Sequence, residues 1–392
     1  MNSQNTPVHV RLWHRDFWLM IVANMLLSVS VYIMIPVLPE WLLEAELFSP
    51  VDVGLAMGVF ALGLYAFGAF CSYLVQRFRR NKVCIFSIIA MTCCTAALYY
   101  MHGLRGAYVT FKMIMLQRFV LGATYGLALM ILSSTLIIDT SESYQRTEAN
   151  HSAGWFSRFA ISLGPMLGIV LYRNFGLDAV LLASICCTLI SCVFILTVNV
   201  PFRTPSDKIS VVSLDRFILP HTLPVFINLV AIVSVVGLLL SLGLSERFYG
   251  LMMLGFLMAL LAQRFIFRDA DLKSEVVTGI ILLIATVLMI MFRPVPAVWY
   301  VSPITFGLGI GIICARFLLF FVKLSLHCKR GTSQSMYLLG WETGLALGIG
   351  LGYMFFLNED QSLCITALVL LVLSLIMYNY YTHNWFMKNK NR

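Results

Sequence analysis

Charged residues are scarce in this sequence. They make up 11% of its 392 residues, whereas 60% are hydrophobic, and the mean hydropathy is +0.88. A soluble domain carries about 25% charged residues and is about half apolar, so we do not expect water-soluble domains. The formal net charge of +9 is spread between apolar runs rather than along one face. This distribution favours contact with a membrane surface over binding of nucleic acid.

The sequence motifs of several enzyme classes are also missing. There is no GxxxxGK(S/T), HExxH, GxSxG or CxxC, so ATP-driven pumping and zinc or serine chemistry lack their usual parts. The seven histidines are scattered, and the cysteines lie mostly in or beside apolar runs, as small buried hydrophobic residues do. A repeated pore lining, which a channel needs, is not seen either. We therefore expect no enzyme, no cofactor and no metal site.

Apolar runs of about 20 residues, each long enough to cross a hydrocarbon core of about 30 Å, follow one another throughout the chain. The first run follows Arg11 and Arg15, but it is longer than the core of a signal peptide and lacks a small-residue cleavage site. It is predicted to be an uncleaved first span. The twelve predicted helices cover roughly residues 16–39, 52–75, 83–102, 108–138, 147–172, 178–200, 219–243, 249–267, 275–292, 297–323, 332–357 and 361–383.

The most polar interruption of the apolar runs falls near the middle of the chain. It is PFRTPSDKISVVSLDRF, residues 201–217, and it divides six predicted spans from six. We expect an amino-terminal six-helix bundle at 1–200, a cytoplasmic linker at 201–218 and a carboxy-terminal six-helix bundle at 219–392. The predicted fold class is an all-α polytopic membrane protein with twelve transmembrane helices in two pseudo-symmetric bundles.

Basic residues concentrate in one alternate set of the predicted loops. The opposite set contains only Arg105, Arg173, Arg247 and Arg293. Loops rich in lysine and arginine stay in the cytoplasm, so both termini are predicted to be cytoplasmic, as an even number of spans also requires. The predicted location is the cell inner (plasma) membrane, with a multi-pass chain.

The two halves of the sequence resemble each other. A constant shift of 184 residues superimposes the stretch around the fifth predicted span on the stretch around the eleventh, which indicates an internal duplication. The shift aligns Arg146 with Arg330, Gly164 with Gly348, Gly168 with Gly352, and Arg158 with Glu342.

A twelve-span chain with a six-plus-six division, a basic loop after the second span and this repeat resembles the major facilitator superfamily of secondary transporters. QRFVLGATYG, residues 117–126, is similar to the fourth-helix motif of that family, with Arg118 and Gly122 in place. GWFSRFAISLGPMLG, residues 154–168, is similar to the fifth-helix pattern that is commonest among exporters exchanging substrate for protons. The opening span also looks like the drug and metabolite efflux branches. The resemblance implies alternating access between two bundles.

The loop between the second and third predicted spans departs from the family pattern. SYLVQRFRRNKV, residues 72–83, is similar to the family's loop there, but Gln76 stands where the family has Asp. In the family, that Asp joins a charge network that latches the cytoplasmic side, and Asp139 is expected to substitute in part by pairing with Arg77 or Arg80. The resemblance implies a cytoplasmic gate formed by Gln76, Arg77, Arg80 and Arg146.

Four charged residues are predicted to lie inside spans: Arg118, Arg158, Arg316 and Glu342. An ionised group at the centre of a bilayer costs from about 3 to over 10 kcal/mol, so membrane ionisable groups usually serve transport. A structural role is the alternative, in which each arginine bonds to backbone carbonyls or polar neighbours. In that case Glu342 would be neutralised by a proton or by a packed arginine.

Glu342 is predicted to bind and release the coupling proton. Burial favours the neutral form of a carboxylate and a nearby arginine favours the ionised form, so its protonation can change during alternation. Arg118 and Asp139 complete the predicted proton-coupling set. Three buried arginines against one buried acid predict an anionic or zwitterionic substrate, or one with a carboxylate or phosphate group. The predicted substrate-binding residues are Arg158, Arg316, Tyr32, Tyr125, Trp155 and Trp341.

The predicted function is secondary active export of a small organic molecule in exchange for protons. Proton-coupled or facilitated uptake of a small anionic metabolite is one alternative, and a non-transporting membrane sensor or scaffold is another. The expected partners are a small-molecule substrate, protons and the lipid bilayer, with no nucleic acid, and the expected state is a monomer.

Overall fold

The computed structural model describes residues 11–44, 48–103, 109–142, 144–200, 210–267, 270–292, 296–326 and 329–390. Within these ranges the chain is helical and has no strand. Eleven helices are long and apolar enough to cross a membrane, and one broken helix brings the number to twelve. The predicted all-α polytopic fold is confirmed. Arg105, Arg293 and residues 201–209 of the predicted linker lie outside the described residues.

The spans are numbered α1 to α12 in chain order. Several are longer than the hydropathy pattern predicts: α1 continues past residue 39 to Glu44, and α12 continues past residue 383 to Asn389. The bounds are α1 Arg15–Glu44, α2 Pro50–Leu64 with Gly68–Arg77, α3 Arg80–Gly103, α4 Phe111–Asp139, α5 Arg146–Phe175, α6 Leu177–Thr197, α7 Pro220–Leu240, α8 Glu246–Phe265, α9 Leu272–Met291, α10 Pro296–Leu324, α11 Arg330–Phe356 and α12 Asp360–Asn389.

Three of the central spans are irregular. In α1, residues 33–36 form turns rather than regular helix, because Pro36 has no backbone N–H to donate. In α2, the two helical pieces meet at an angle of 44°. In α4, Leu132–Leu136 form a wider π-helical turn, a feature that is frequent at functional sites.

The spans differ in how much of their surface is covered by protein. The most apolar 18-residue window of α4 is wholly buried, whereas the corresponding windows of α3, α6, α8, α9 and α12 are less than half buried. Apolar side chains on these five spans, such as Phe86 and Leu196, are exposed. The five spans therefore expose much of their surface to the lipid, and α4 lies at the centre.

Glycines allow the central spans to pack with their backbones in contact. A Cβ atom on Gly164 of α5 would lie 2.8 Å from Cβ of Tyr32 in α1, and one on Gly348 of α11 would lie 2.8 Å from Cα of Gly237 in α7. Small residues permit this close approach. Gly164 and Gly348 are the pair that the 184-residue shift aligns, so they make equivalent contacts in the two halves of the chain.

The two ends of the molecule are defined by the direction of the spans. The odd-numbered spans begin at the end called here the inner end, which is the end predicted to be cytoplasmic, and the even-numbered spans begin at the outer end. At the outer end, Arg173 of α5 forms an ion pair with Glu246 of α8 over 3.1 Å. At the inner end, a Cβ atom on Gly331 of α11 would lie 2.5 Å from the carbonyl oxygen of Ser134 in α4. Contacts between the two halves of the sequence therefore exist at both ends.

Candidate transport site

Glu342 lies near the centre of α11, and its side chain bonds to the amino-terminal half of the chain. The Tyr32 hydroxyl in α1 donates a hydrogen bond of 2.5 Å to Oε1 of Glu342, and the Tyr125 hydroxyl in α4 donates one of 3.0 Å to the same oxygen. Nε1 of Trp341 in turn donates to the Tyr32 hydroxyl over 3.2 Å. Glu342 is 3% exposed. The acid of one half is thus held by hydroxyl groups of the other.

A small cavity opens beside this carboxylate. Its volume is about 20 Å³, which is enough for about one water molecule. Apolar side chains from α1, α2 and α11 form most of its wall, and Tyr32, Arg118 and Glu342 supply its polar groups. The structure therefore brings four of the sequence-predicted residues, Tyr32, Tyr125, Arg118 and Glu342, to one place.

Arg118 of α4 lines the cavity and forms no ion pair with any residue that the structure describes. The side chain is 4% exposed, and its Cζ lies 5.1 Å from the centre of the Phe60 ring. Nε and Nη1 are buried and make no hydrogen bond to any described residue. Phe60 was not singled out from the sequence, since an aromatic residue in an apolar run gives no signal of this contact.

Arg158 of α5 is also buried and lies outside that cavity. It is 2% exposed, and its Cζ lies 4.4 Å from the centre of the Trp155 ring. Trp155 is itself oriented by a hydrogen bond of 3.0 Å from its Nε1 to Nε2 of His151. Tyr337 of α11 and Cys314 of α10 lie close to the guanidinium group. Arg158 thus sits where spans of both halves meet.

The prediction of three buried arginines against one buried acid was wrong in one respect. Arg316 of α10, predicted to be an unpaired substrate-binding residue, forms an ion pair of 2.5 Å through Nε with Oε2 of Glu275 in α9. Glu275 is 0% exposed, and it was missed because the apolar run was read as starting there, whereas α9 begins at Leu272. The buried arginines that lack an acid are therefore Arg118 and Arg158, within the described part of the chain.

The residues of the predicted gate are only partly brought together. Arg80 forms an ion pair with Asp139, one of the two pairings expected. Gln76 instead donates to the Ser72 hydroxyl of its own helix over 2.9 Å. Arg77 is exposed at the inner end of α2. Arg146 begins α5, at the same end of the molecule.

Asp139 does not lie near Glu342. It is the last residue of α4, and at 1.5 Å per residue it is about 20 Å along that span from Tyr125. The grouping of Asp139 with Glu342 in one proton-coupling set is therefore not supported by their positions. Sequence spacing alone could not reveal this, because the grouping came from a family motif rather than from distance.

A further hydrogen bond joins the halves beside Glu342. The hydroxyl groups of Tyr65 in α2 and Thr343 in α11 are 2.6 Å apart. Thr343 was not predicted from the sequence, because a threonine in an apolar helix usually bonds to its own backbone. Three successive residues of α11, Trp341, Glu342 and Thr343, thus bond to tyrosines of the amino-terminal half.

The chain is similar to known transporters in sequence pattern and in fold. Residues 20–349 match the family model described as Major Facilitator Superfamily, whereas no curated protein sequence matches the chain. The POT family transporter PepTSo has a TM-score of 0.69 at 12% identity, covering 96% of this chain and 99% of its own. The nucleoside transporter NupG has a TM-score of 0.67 at 14% identity, with 93% and 100% covered.

A human protein shares the same fold. The human organic anion transporter MFSD10 (TETRAN) has a TM-score of 0.67 at 14% identity, covering 92% of this chain and 98% of that one. At such identities the likeness establishes the fold, and the substrates of these proteins are not carried over. Because the family model spans most of the chain and the twelve-span fold agrees with it, the protein belongs to the major facilitator superfamily of transporters.

Proposed function

We propose that the protein exports a small organic molecule in exchange for protons, and that Glu342 carries the coupling proton. The observation that supports this proposal is the place of Glu342, which lines the central cavity and bonds to Tyr32 and Tyr125 across the halves. The cavity holds about one water molecule in this conformation, so a substrate would enter only after the halves have moved and widened it. The substrate would then lie next to the carboxylate, where proton and substrate can compete for one site. Such competition is what an exchange of the two requires.

Protonation of Glu342 would weaken the contact between the halves. Hydrogen bonds to an ionised carboxylate are roughly twice as strong as neutral ones, and both tyrosine hydroxyl groups donate to Oε1. A proton on the carboxyl group therefore loosens α11 from α1 and α4. Loss of the proton restores the contact. The protonation state of one residue thus biases the movement of one half against the other.

Arg118 belongs to the same unit because it faces the same cavity. We assign it a supporting role, in which its charge balances Glu342 after the proton has left. Trp341 orients Tyr32 through its Nε1. The moving bodies would be residues 1–200 and 219–392, connected by a linker at 201–218, in an inner membrane with both termini cytoplasmic.

The inner end is proposed to be the cytoplasmic gate. Arg80 and Asp139 tie the start of α3 to the end of α4, while Arg146 begins α5 beside them. This pair lies wholly within the amino-terminal half, so it shapes that half but does not connect it to the other. Contacts that cross between the halves are needed in addition.

Transport by purified protein in liposomes tests the proposal. Molecules that raise the unfolding temperature in a ligand screen are offered to liposomes that carry a pH gradient. An acidic lumen should drive accumulation if the exchange is antiport, whereas accumulation driven by an acidic exterior would assign uptake instead. Absence of flux in either direction would favour a sensor or scaffold.

The role of Glu342 is tested in the same liposomes. Glu342→Gln should abolish gradient-driven flux while substrate exchange at equal pH continues, because the amide keeps the shape of the side chain but cannot ionise. Glu359→Gln, which changes an exposed acid at the outer end, serves as the matched control. Gradient-driven flux that is unchanged in Glu342→Gln would show that the proton binds elsewhere.

A further inference from the structure

We propose that Arg158 binds the anionic group of the transported molecule, a carboxylate or a phosphate; this inference rests on the proposed transport function and adds its substrate class. The distribution of acid partners among the arginines inside the protein supports it. Arg80 and Arg316, which are only partly buried, each have an acid, Asp139 and Glu275 respectively. Arg158 has none among the described residues, although it is 2% exposed.

Arg158 has only neutral polar neighbours in the described part of the chain. The Tyr337 hydroxyl and the Cys314 thiol lie close to the guanidinium group. Nε, Nη1 and Nη2 are nevertheless all buried, and none of them makes a hydrogen bond of normal distance and angle there. A guanidinium group keeps its charge in proteins, so deprotonation cannot relieve the cost of burial. An unpaired buried charge is strongly destabilising. The arrangement is therefore explained by a partner that arrives from outside the chain.

The surroundings of Arg158 leave its edge available for such a partner. The Trp155 ring covers one face of the guanidinium group, which leaves in-plane directions for two parallel hydrogen bonds to a carboxylate or phosphate. Gly154 lies beside this edge: a Cβ atom there would lie 3.5 Å from Nη2 and 3.0 Å from Cδ2 of Leu318. An anion at this edge would lie between α5, α10 and α11, and would touch both halves.

A further polar group extends the site towards the inner end. Asn150 lies two turns before Arg158 on α5, is 1% exposed, and has no hydrogen bond from either amide atom within the described residues. Eight residues make about 2.2 turns of a helix, so the two positions lie about 80° apart around the axis of α5, within one broad face. Asn150 would thus meet a polar substrate that approaches Arg158 from the inner side.

Thermal unfolding of the purified protein tests this site without any proton gradient. Sodium benzoate, acetate and inorganic phosphate are compared with sodium chloride at equal ionic strength, and benzylammonium chloride serves as the cation of similar shape. At least one oxyanion should raise the unfolding temperature by several degrees at saturation, whereas benzylammonium should not. Absence of a shift with all three oxyanions would overturn the proposal.

Variants separate a binding site from a structural arginine. Arg158→Gln should lose the oxyanion shift and should unfold at a higher temperature than the wild type without ligand, because an unpaired buried charge is removed. Arg173→Gln, on the same span but in an ion pair at the outer end, should keep the shift. A retained shift in Arg158→Gln would identify an adventitious ion only. A lower unfolding temperature, or failure to fold, would show that Arg158 supports the fold instead.

A different set of contacts carries a second inference, on residues 213–217, called here the linker clasp. We infer that the clasp closes the inner end, where the family's Asp is replaced by Gln76. The backbone N–H of Ser213 donates to the Ala69 carbonyl over 2.9 Å. The Phe217 ring packs against Gly68 and lies 6.0 Å from the Tyr65 ring. The clasp is thereby attached to α2.

Arg216 connects the clasp to two more spans. Its Nη1 donates to the Thr135 hydroxyl of α4 over 2.8 Å, and its backbone N–H donates to the Thr332 hydroxyl of α11 over 2.9 Å. Thr332 donates in turn to Oδ1 of Asp215 over 3.1 Å. Arg216 has φ of 62°, a conformation that persists only when surrounding contacts enforce it. The clasp therefore spans both halves at their inner ends.

Hydrogen exchange measures whether the clasp holds the inner end shut. Thr332→Val keeps the shape of the side chain and removes the two hydrogen bonds between Thr332 and the clasp, so exchange around residues 65–70 and 330–335 should rise several-fold. Exchange around Glu246 at the outer end should not rise. Thr366→Val, whose hydroxyl bonds only to its own helix within the described residues, is the matched control. Unchanged inner-end exchange, or an equal rise at both ends, would refute the clasp.

Discussion

The Tyr32 hydroxyl in α1 and the Glu342 carboxylate in α11 are joined by a hydrogen bond of 2.5 Å at the centre of the molecule. The two residues are 310 positions apart in the chain. Tyr125 supplies a second donor to the same oxygen, so an ionised carboxylate is better satisfied here than a neutral carboxyl group would be. The bond therefore links the ionisation state of Glu342 to the strength of the contact between the two halves.

Loss of either tyrosine hydroxyl should weaken proton coupling. A hydrogen bond to a charged group contributes about 1.5–3 kcal/mol, so Tyr32→Phe or Tyr125→Phe should lower gradient-driven flux about tenfold or more. Liposome flux under a fixed pH gradient is the measurement. Tyr249→Phe is the matched control, because the Tyr249 hydroxyl is buried without a hydrogen bond to any described residue. Equal effects of all three changes would contradict a specific role of the hydroxyl groups.

Removing one partner of the Arg316–Glu275 pair should destabilise the protein strongly. Breaking a buried ion pair costs about 3–5 kcal/mol, since the remaining charge stays buried, whereas replacing both partners by apolar residues is often neutral. Glu275→Leu should therefore lower the unfolding temperature. Glu275→Leu with Arg316→Met should restore most of it and should leave transport intact. Loss of transport in the well-folded double variant would give Arg316 a role in function.

Glycines at the backbone contacts should not tolerate a methyl group. Gly348→Ala would bring Cβ to within 2.8 Å of Cα of Gly237, which the two backbones cannot relieve by a side-chain rotation. A lower yield of folded protein and a lower unfolding temperature are expected. Gly58→Ala in α2, whose Cβ would meet nothing within 4 Å, should instead stabilise by about 0.5–1 kcal/mol. A higher unfolding temperature for Gly348→Ala than for Gly58→Ala would contradict the packing described for these glycines.

Restoring the family's aspartate at position 76 should reduce the contribution of the clasp to closure of the inner end. Gln76→Asp adds a carboxylate near the basic inner end of α2, where the family's latch has one. The increase in hydrogen exchange caused by Thr332→Val should then be smaller in the Gln76→Asp background than in the wild type. Additive effects of the two changes would indicate independent roles.

The sequence predicted most of the fold because a membrane imposes its constraints on each spanning segment separately. Every spanning segment must satisfy its own backbone hydrogen bonds, so hydropathy and charge identify the spans directly. Glu342, Arg118 and Arg158 were also found from the sequence, since a charge in an apolar run stands out. Their roles remain proposals.

Relationships between distant residues could not be predicted in this way. The bond between Tyr65 and Thr343, the ion pair of Glu275 with Arg316, and the clasp all depend on which spans lie side by side. Glu275 shows the difficulty best, because it stands at a helix end by hydropathy and one turn inside the helix in the structure. A shift of three residues in a boundary changed the count of buried charges.

The π-helical turn at Leu132–Leu136 allows the end of α4 to rotate about the helix axis without displacement of the whole span. A π turn holds one residue more than an α turn, and each residue of an α-helix advances by about 100°. If the π-helical turn moved along α4 towards Asp139, the last part of the span would rotate by about a quarter of a turn about the helix axis. Tyr125, which precedes the turn, would keep its position. This rotation would break the hydrogen bond between Thr135 and Arg216 and the ion pair between Asp139 and Arg80. One local change in α4 would therefore release two contacts at the inner end.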